Sequence, residues 1–454
     1  MFTSKLKLKN IVLAGMLAAS AVVLAATVSS PVYAQQSGQN EEGRRQPPPT
    51  RSSDTLSERV YRAISEIQGM LTPEDTSAEP NLAGAKRALD ELNQRYDSLN
   101  DFEKSTLLNF YTNYYLATDD IPNAMATFER ILQIENLRED ARLRALLSLG
   151  QLYASEERYD EAITTLTQWR ELSADENATV FQILALAYYN KQDFQQAIPM
   201  LISHMDMLRA EGRAIGKNIY GLLNLMYIEL EDYQNAHDVT RTMVGLFDEA
   251  SDWRNLAAIY GFLDDEGKRI QTMELAYQKG YFANEGEYLN LAQSLAGMDA
   301  PWRGIKILED GIAKGVVEEN DANLRRLTQM YIMASEFEAA VTPARRLTEV
   351  ANTGEAWDYL GYVYLMNRDY ENAASAMQTA LERGGLENQG EVQLSLARAL
   401  VELDRFDEAL AAAQRAQNLG TTNASQFVTF VQSARDRHAA LQQRKQESIE
   451  YYQS

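Results

Sequence analysis

The sequence offers few of the side chains that usually carry catalytic or metal chemistry. It contains no cysteine, and no two of its three histidines, His204, His237 and His438, share a metal-ligand spacing. The acidic runs 264–266 and 318–319 fall in predicted turns, where solvated carboxylates are far more common than a calcium or acid–base site. No glycine-rich phosphate loop and no Gly-x-Ser-x-Gly nucleophile motif occurs. We therefore predict that the protein is not an enzyme and has no catalytic residue, cofactor or metal site.

The charge balance limits the classes of partner. The 454 residues include 43 Lys and Arg but 65 Asp and Glu, which gives a formal net charge of -22. Nucleic acids and anionic lipids require a basic surface, so neither is expected as a partner. An acidic surface suits a basic partner and equally serves solubility.

Residues 1–34 resemble a secretory signal peptide. A short basic segment is followed by an almost continuous apolar run over residues 11–26, and the run Val32-Tyr33-Ala34 fits a small-x-small cleavage site. The alternative is a retained membrane anchor, but about 16 apolar residues are few for the ~30 Å of hydrocarbon in a bilayer. We expect cleavage after Ala34, a periplasmic mature protein and no integral membrane segment in the mature chain.

Residues 35–55 form a polar linker that contains Pro47-Pro48-Pro49. The linker has few apolar side chains, and their burial cannot offset the conformational entropy that is lost when the chain becomes ordered. We therefore expect the linker to be disordered. It could be a docking tether for a proline-binding partner, but a simple spacer is the favoured interpretation.

The remaining sequence is built from a repeated helical pattern. Its clearest unit places Trp357, Leu360 and Tyr364 on one helix face, with Gly361 beside them and Ala373 in the next helix. Small residues at the last two positions allow two antiparallel helices to approach closely. The pattern resembles the tetratricopeptide repeat. Its second-helix position recurs about every 36 residues, close to the ~34 of that repeat, at Ala124, Ala162, Ala197, Ala236, Arg269, Gly304, Ala340, Ala373 and Ala409.

This periodicity predicts an all-α fold, an α-solenoid of antiparallel helix pairs with about nine repeats and helical caps. The repeats are expected to wind into a right-handed superhelix with a concave inner surface. We assign residues 56–104 to an N-terminal helical cap, residues 105–420 to the array, and residues 421–454 to a C-terminal capping helix and tail. Arg269 and Gly304 depart from the usual alanine, which leaves local helix packing uncertain at these two repeats.

Partner-binding residues are expected on the first helix of each repeat, on the side facing away from its second helix. Arginine, glutamine and tyrosine side chains there could hold a peptide backbone or a carboxylate. For any single position, an ordinary exposed side chain is the simpler interpretation. The Lys/Asn clamp that chaperone-binding members use for a C-terminal carboxylate is not recognisable. The candidates are Arg144, Gln151, Arg254, Gln293, Arg325, Gln329, Asp358, Tyr362, Leu394 and Arg398.

The C-terminal half resembles a narrower group of proteins. The run TMELAYQKGYF at residues 272–282 is followed by Leu291-Ala292-Gln293, by MDAPW at residues 298–302 and by LEDGIAKG at residues 308–315. These runs resemble the exported tetratricopeptide proteins of Gram-negative bacteria associated with TonB–ExbB–ExbD systems. The resemblance implies a periplasmic accessory that binds TonB-like or ExbD-like domains during energised outer-membrane transport. It supplies no residue-level binding motif.

Two other functions stay open. The first is a regulator or assembly scaffold of a peptidoglycan or polysaccharide synthesis machine, which the neighbouring genes would distinguish from a transport accessory. The second is an enzyme with a site hidden in the groove, which the shortage of histidine and the lack of cysteine disfavour.

Overall fold

The computed structural model describes residues 55–73 and 78–453. The predicted signal peptide, residues 1–34, and nearly all of the predicted linker lie outside this part. The described residues form 21 α-helices and one 3₁₀ turn, Tyr96–Ser98, without a β-strand among them. The chain divides between Met243 and Val244 into two compact units.

Helices α1 to α10 begin in the first unit, and the last of them runs across the division. Their bounds are Glu58–Leu71, Leu82–Asn93, Asp101–Ala117, Ile121–Leu132, Glu139–Ser155, Tyr159–Leu172, Ala178–Asn190, Phe194–Ala210, Lys217–Glu229 and Tyr233–Phe247. The boundary predicted between residues 104 and 105 falls inside α3.

Helices α11 to α21 belong to the second unit. Their bounds are Ala250–Phe262, Glu266–Gln278, Glu285–Gly297, Pro301–Ala313, Asp321–Met333, Phe337–Val350, Gly354–Met366, Tyr370–Arg383, Gln389–Glu402, Phe406–Asn418 and Ala424–Gln453. Consecutive helices pack as antiparallel pairs, namely α3/α4, α5/α6, α7/α8, α11/α12, α13/α14, α15/α16, α17/α18 and α19/α20. The predicted all-α fold of stacked helix pairs is therefore confirmed.

A shared turn separates the two helices in several pairs. One residue adopts the left-handed conformation, with φ of 55° at Asp119 and 59° at Arg368. The aspartate that follows, Asp120 or Asp369, accepts a hydrogen bond from the backbone N–H three residues later. This cap satisfies an N–H group that has no partner within the helix. The polar turns seen in the sequence therefore act as helix starts.

The small second-helix residues lie where the paired helices cross. Ala124, Ala162 and Ala373 are fully buried. At Gly304 the crossing is closer still, because an added Cβ would lie 2.6 Å from the carbonyl oxygen of Ala292 in α13. Glycine therefore replaces alanine at position 304 because α13 and α14 approach too closely there for a Cβ atom.

Tyrosine hydroxyls connect successive repeats. Tyr153 in α5 donates to Glu129 in α4 across 2.6 Å, and burial together with this hydrogen bond raises the pKa of Tyr153 to about 12. Tyr331 in α15 bonds Glu309 in α14 in the same manner. These side chains tie the first helix of one repeat to the second helix of the repeat before it.

Candidate partner-binding surface

All ten predicted binding residues lie on the first helix of a pair. We call the exposed side chains of these helices the first-helix surface. In the first unit, Arg144 and Gln151 lie on α5. Arg144 is exposed and pairs with Asp140, 3.0 Å from Nη2 to Oδ2, whereas Gln151 is half-buried. The structure brings no cluster together around these two residues.

Four candidates of the second unit do not belong to a cluster of predicted binding residues. Three are polar side chains on separate helices, and the fourth, Leu394, is buried. Gln293 on α13 is exposed, and Arg398 on α19 is exposed with its guanidinium 6.0 Å from the ring centroid of Phe427. Arg254 on α11 forms an ion pair with Glu287 on α13. The prediction that Leu394 faces a partner is wrong, as its surroundings show.

Leu394 is a core residue. Its side chain is only 2% exposed and packs with Ala416, Ala424 and Phe427. Its place in α19 matches that of Asp358 in α17, because each lies two positions before the leucine of the repeat pattern, Leu396 or Leu360. The last helix, α21, covers this position because Ala424 and Phe427 pack against it.

The other four candidates come together where α15 and α17 lie side by side. The guanidinium of Arg325 lies 5.3 Å from the ring centroid of Tyr359, and the Tyr359 and Tyr362 rings stack with centroids 6.4 Å apart and planes 17° apart. The Tyr359 hydroxyl donates a long hydrogen bond, 3.5 Å, to Oε1 of Gln329. We call Arg325, Gln329, Asp358, Tyr359 and Tyr362 the tyrosine patch.

The tyrosine patch ends in an open aromatic side chain. Arg325 is held by Asp321, with 3.1 Å from Nε to each carboxylate oxygen, and packs on Tyr359. Tyr359 is half-buried, and burial raises the pKa of its hydroxyl. Tyr362 is 43% exposed. The result is a row of Arg325, Tyr359 and Tyr362 with ring surface left open at Tyr362.

Asp358 carries an electrostatic penalty in this patch. It is half-buried, and its carboxylate accepts no hydrogen bond from any residue that the structure describes. Burial raises the pKa of Asp358, and the negative charge of Glu355 adds to the effect, while Arg325 opposes it. Because Asp358 is only half-buried, its carboxylate stays open to solvent, and a hydrogen-bond donor or cation from a partner could reach it there.

Sequence reasoning missed Tyr359. Its signal is the spacing of three residues to Tyr362, which places the two rings on neighbouring turns of one helix face. The missing information was that Arg325 of the preceding repeat reaches the Tyr359 ring.

A cavity of about 400 Å³ lies beside Arg254, between α11, α12 and α13. Ala258 and Gly261 on α11 leave this space open. At the matching positions of α17 the chain has Tyr362 and Leu365, which are much larger. Aromatic side chains of the loop after α12, Tyr281 and Phe282, complete the wall.

Arg269 lines the same cavity from α12. Its guanidinium donates to Asn290 Oδ1 at 2.8 Å and to Ser294 Oγ at 2.6 Å, both on α13, and it pairs with Glu266 on its own helix. The side chain is only 18% exposed. Where most other repeats have a buried alanine, this repeat therefore has an arginine that donates hydrogen bonds to the next repeat.

The described residues contain no group of three or more histidine or acidic side chains placed to hold a metal ion. His204 is buried, with Nδ1 2.8 Å from the carbonyl oxygen of Ala178, which is a packing role. None of the helices in the described chain is both long and apolar enough to cross a membrane.

Two segments match family models of the tetratricopeptide repeat, residues 143–169 and residues 359–424. Each unit thus contains one segment that matches the tetratricopeptide repeat, in agreement with the repeat pattern of the sequence. The second match includes Tyr359 and Tyr362. A comparison with curated proteins finds no match.

Several solved structures are similar to the chain. A tetratricopeptide repeat protein from Parabacteroides merdae ATCC 43184 is 14% identical, with 68% of this chain and 99% of that chain covered and a TM-score of 0.30. A MamA protein is 17% identical, with coverage of 38% and 91% and a TM-score of 0.31. The TPR2AB domain of yeast Sti1, solved as a complex with pHSP90, is 15% identical, with coverage of 66% and 99% and a TM-score of 0.23. At TM-scores this low, these similarities carry no argument about function.

Proposed function

We propose that this protein is a non-enzymatic periplasmic scaffold that binds another protein, and that it serves as an accessory of TonB-dependent energised transport. The observation that carries the binding role is the tyrosine patch, since Tyr362 leaves a large aromatic ring open on a helix face. Tetratricopeptide repeats bind protein or peptide partners, and exposed tyrosine and arginine side chains are common anchors in protein interfaces.

Export rests on residues 1–34, and the transport role rests on the sequence runs of the C-terminal half. One of those runs, residues 272–282, supplies Met273, Ala276, Tyr281 and Phe282 to the wall of the 400 Å³ cavity. The segment that resembles the TonB-associated proteins therefore also shapes an open space on the first-helix surface. We expect this cavity to take part in partner binding.

The test is capture of purified periplasmic domains of TonB and ExbD by the mature protein, beginning at Gln35, on a solid support. An unrelated tetratricopeptide protein serves as the matched control. Retention above that control supports the transport role, and equal retention counts against it. Retention of a purified peptidoglycan or polysaccharide synthesis enzyme in its place would favour the alternative function.

A cavity-filling variant makes the capture test specific. Gly261→Leu places apolar volume in the cavity, and an added Cβ there meets only Arg269 Cδ, at an ordinary 3.5 Å. We expect this variant to keep its fold and lose most of the captured partner. Fractionation of cells that express the full chain, with release by osmotic shock, tests the periplasmic location.

A further inference from the structure

The first-helix surface of α17 carries two acidic groups, and Arg325 acts on one of them, Asp358, only from a distance. Asp321 already neutralises Arg325 on α15. Glu355 and Asp358, by contrast, have no ion-pair partner among the residues that the structure describes. They are three residues apart and lie on the same helix face as Tyr359 and Tyr362.

The aromatic groups fit a cation as well. An aromatic ring attracts a cation through its negative face, and a guanidinium also stacks on a ring as a plane. Arg325 already uses Tyr359 in this way. Tyr362 offers its own ring with 43% of the side chain exposed, four residues from Asp358 and therefore on the next turn.

We propose that Asp358, Glu355 and the Tyr362 ring form a site for an arginine side chain presented by a basic segment of the partner. This inference rests on the proposed function, because it names the chemistry that the partner brings to the scaffold. The guanidinium stacks on Tyr362 and donates hydrogen bonds to the Asp358 carboxylate, which supplies the donors that this carboxylate lacks. The net charge of -22 further attracts a basic segment.

The ligand is tested with two short peptides that differ in one side chain. Acetyl-Gly-Arg-Gly-amide carries the guanidinium, and acetyl-Gly-citrulline-Gly-amide has nearly the same shape without the charge. We expect the arginine peptide to shift the NMR signals of the Tyr362 ring in a saturable manner, whereas the citrulline peptide leaves them unchanged. Equal effects of the two peptides overturn the proposal.

Two variants locate the site, and a third is the matched control. Asp358→Asn removes the carboxylate and is expected to weaken arginine-peptide binding about ten-fold, the size of one charge-assisted hydrogen bond. Tyr362→Leu removes the ring and is expected to weaken binding about three-fold, the size of an exposed cation–π contact, with binding followed on the Tyr359 ring signals. Glu338→Gln removes the same charge from an exposed position on α16, away from the first-helix surface, and should change the affinity less than two-fold. A similar loss in Asp358→Asn and Glu338→Gln would show general charge attraction only and defeat the proposal.

The capture experiment separates this inference from the proposed function. If the wild-type protein binds the arginine peptide but retains neither TonB nor ExbD domains, the site stands and the transport role fails. If Asp358→Asn and Tyr362→Leu retain a partner domain as well as the wild type does, the scaffold role stands and the arginine site fails.

Discussion

The guanidinium of Arg345 in α16 donates a hydrogen bond to the hydroxyl of Tyr364 in α17, across 2.7 Å. At the matching junctions the direction is reversed, because Tyr153 and Tyr331 donate to the carboxylates of Glu129 and Glu309. At this position of the repeat, the partner of the tyrosine hydroxyl can therefore be a hydrogen-bond donor or a hydrogen-bond acceptor. The junction requires that the hydroxyl form a hydrogen bond, in either direction.

The first prediction follows from this exchange. The free energy of unfolding of Arg345→Gln should lie within about 0.5 kcal/mol of the wild-type value. Glutamine is as long as the glutamates at the matching positions, and its side-chain amide can donate or accept a hydrogen bond. Arg345→Leu should lose about 1 kcal/mol, because it leaves the Tyr364 hydroxyl without its partner. Urea unfolding of the three proteins measures both values. Equal stability of the leucine and glutamine variants would show that the bond contributes nothing.

The second prediction concerns pH. Burial and Glu355 raise the folded-state pKa of Asp358, so folding favours its protonated form. The resulting contribution to stability is complete below the unfolded pKa of about 3.9 and is lost as pH rises through the folded pKa. Asp358→Asn should therefore be more stable than the wild type near pH 7, by about 0.5–1 kcal/mol, and equally stable near pH 3.

Urea midpoints at the two pH values check this sign. A variant that is less stable than the wild type at pH 7 would mean that the Asp358 carboxylate has a stabilising partner in the folded chain. The urea midpoint of Asp358→Asn at pH 7 also shows whether the variant is folded. A folded variant that loses arginine-peptide binding does so for a reason other than unfolding.

The third prediction concerns helix crossings. Gly304→Ala should destabilise the protein by about 1–3 kcal/mol, because the new Cβ would overlap the Ala292 carbonyl oxygen and force two packed helices apart. Gly221 in α9 has no atom within 4 Å of an added Cβ. Gly221→Ala should therefore gain about 0.5–1 kcal/mol from helix propensity. Thermal unfolding of both variants gives the comparison, and a neutral Gly304→Ala would refute the close crossing.

The fourth prediction concerns the C-terminal cap. Leu394→Ala should lose about 2–5 kcal/mol, since the buried Leu394 side chain of α19 packs against Ala416 in α20 and against Ala424 and Phe427 in α21. Leu441→Ala, in the exposed part of α21, should stay within about 0.5 kcal/mol of the wild type. Limited proteolysis should cut the Leu394→Ala variant first in α21. If both variants resist alike, Leu394 does not hold the cap.

Local sequence spacing was enough to predict the helix pairs. Leu360 and Tyr364 share one face of α17, and Ala373 lies in the next helix only a few residues further along the chain. Local spacing was not enough for the binding surface. Leu394 occupies a surface position of the repeat pattern, but whether α21 covers it depends on packing between distant residues. The approach of Arg325 to Tyr359 likewise joins two repeats, which no single unit of the pattern records.

The long last helix has a practical consequence. Beyond Val431, which is fully buried, α21 continues through residues 439–450, all of which are exposed. A fluorophore or surface linker attached there would touch none of the packed repeats. Since the natural chain has no cysteine, one Gln443→Cys substitution would provide a single reactive thiol for immobilising the protein in a defined orientation.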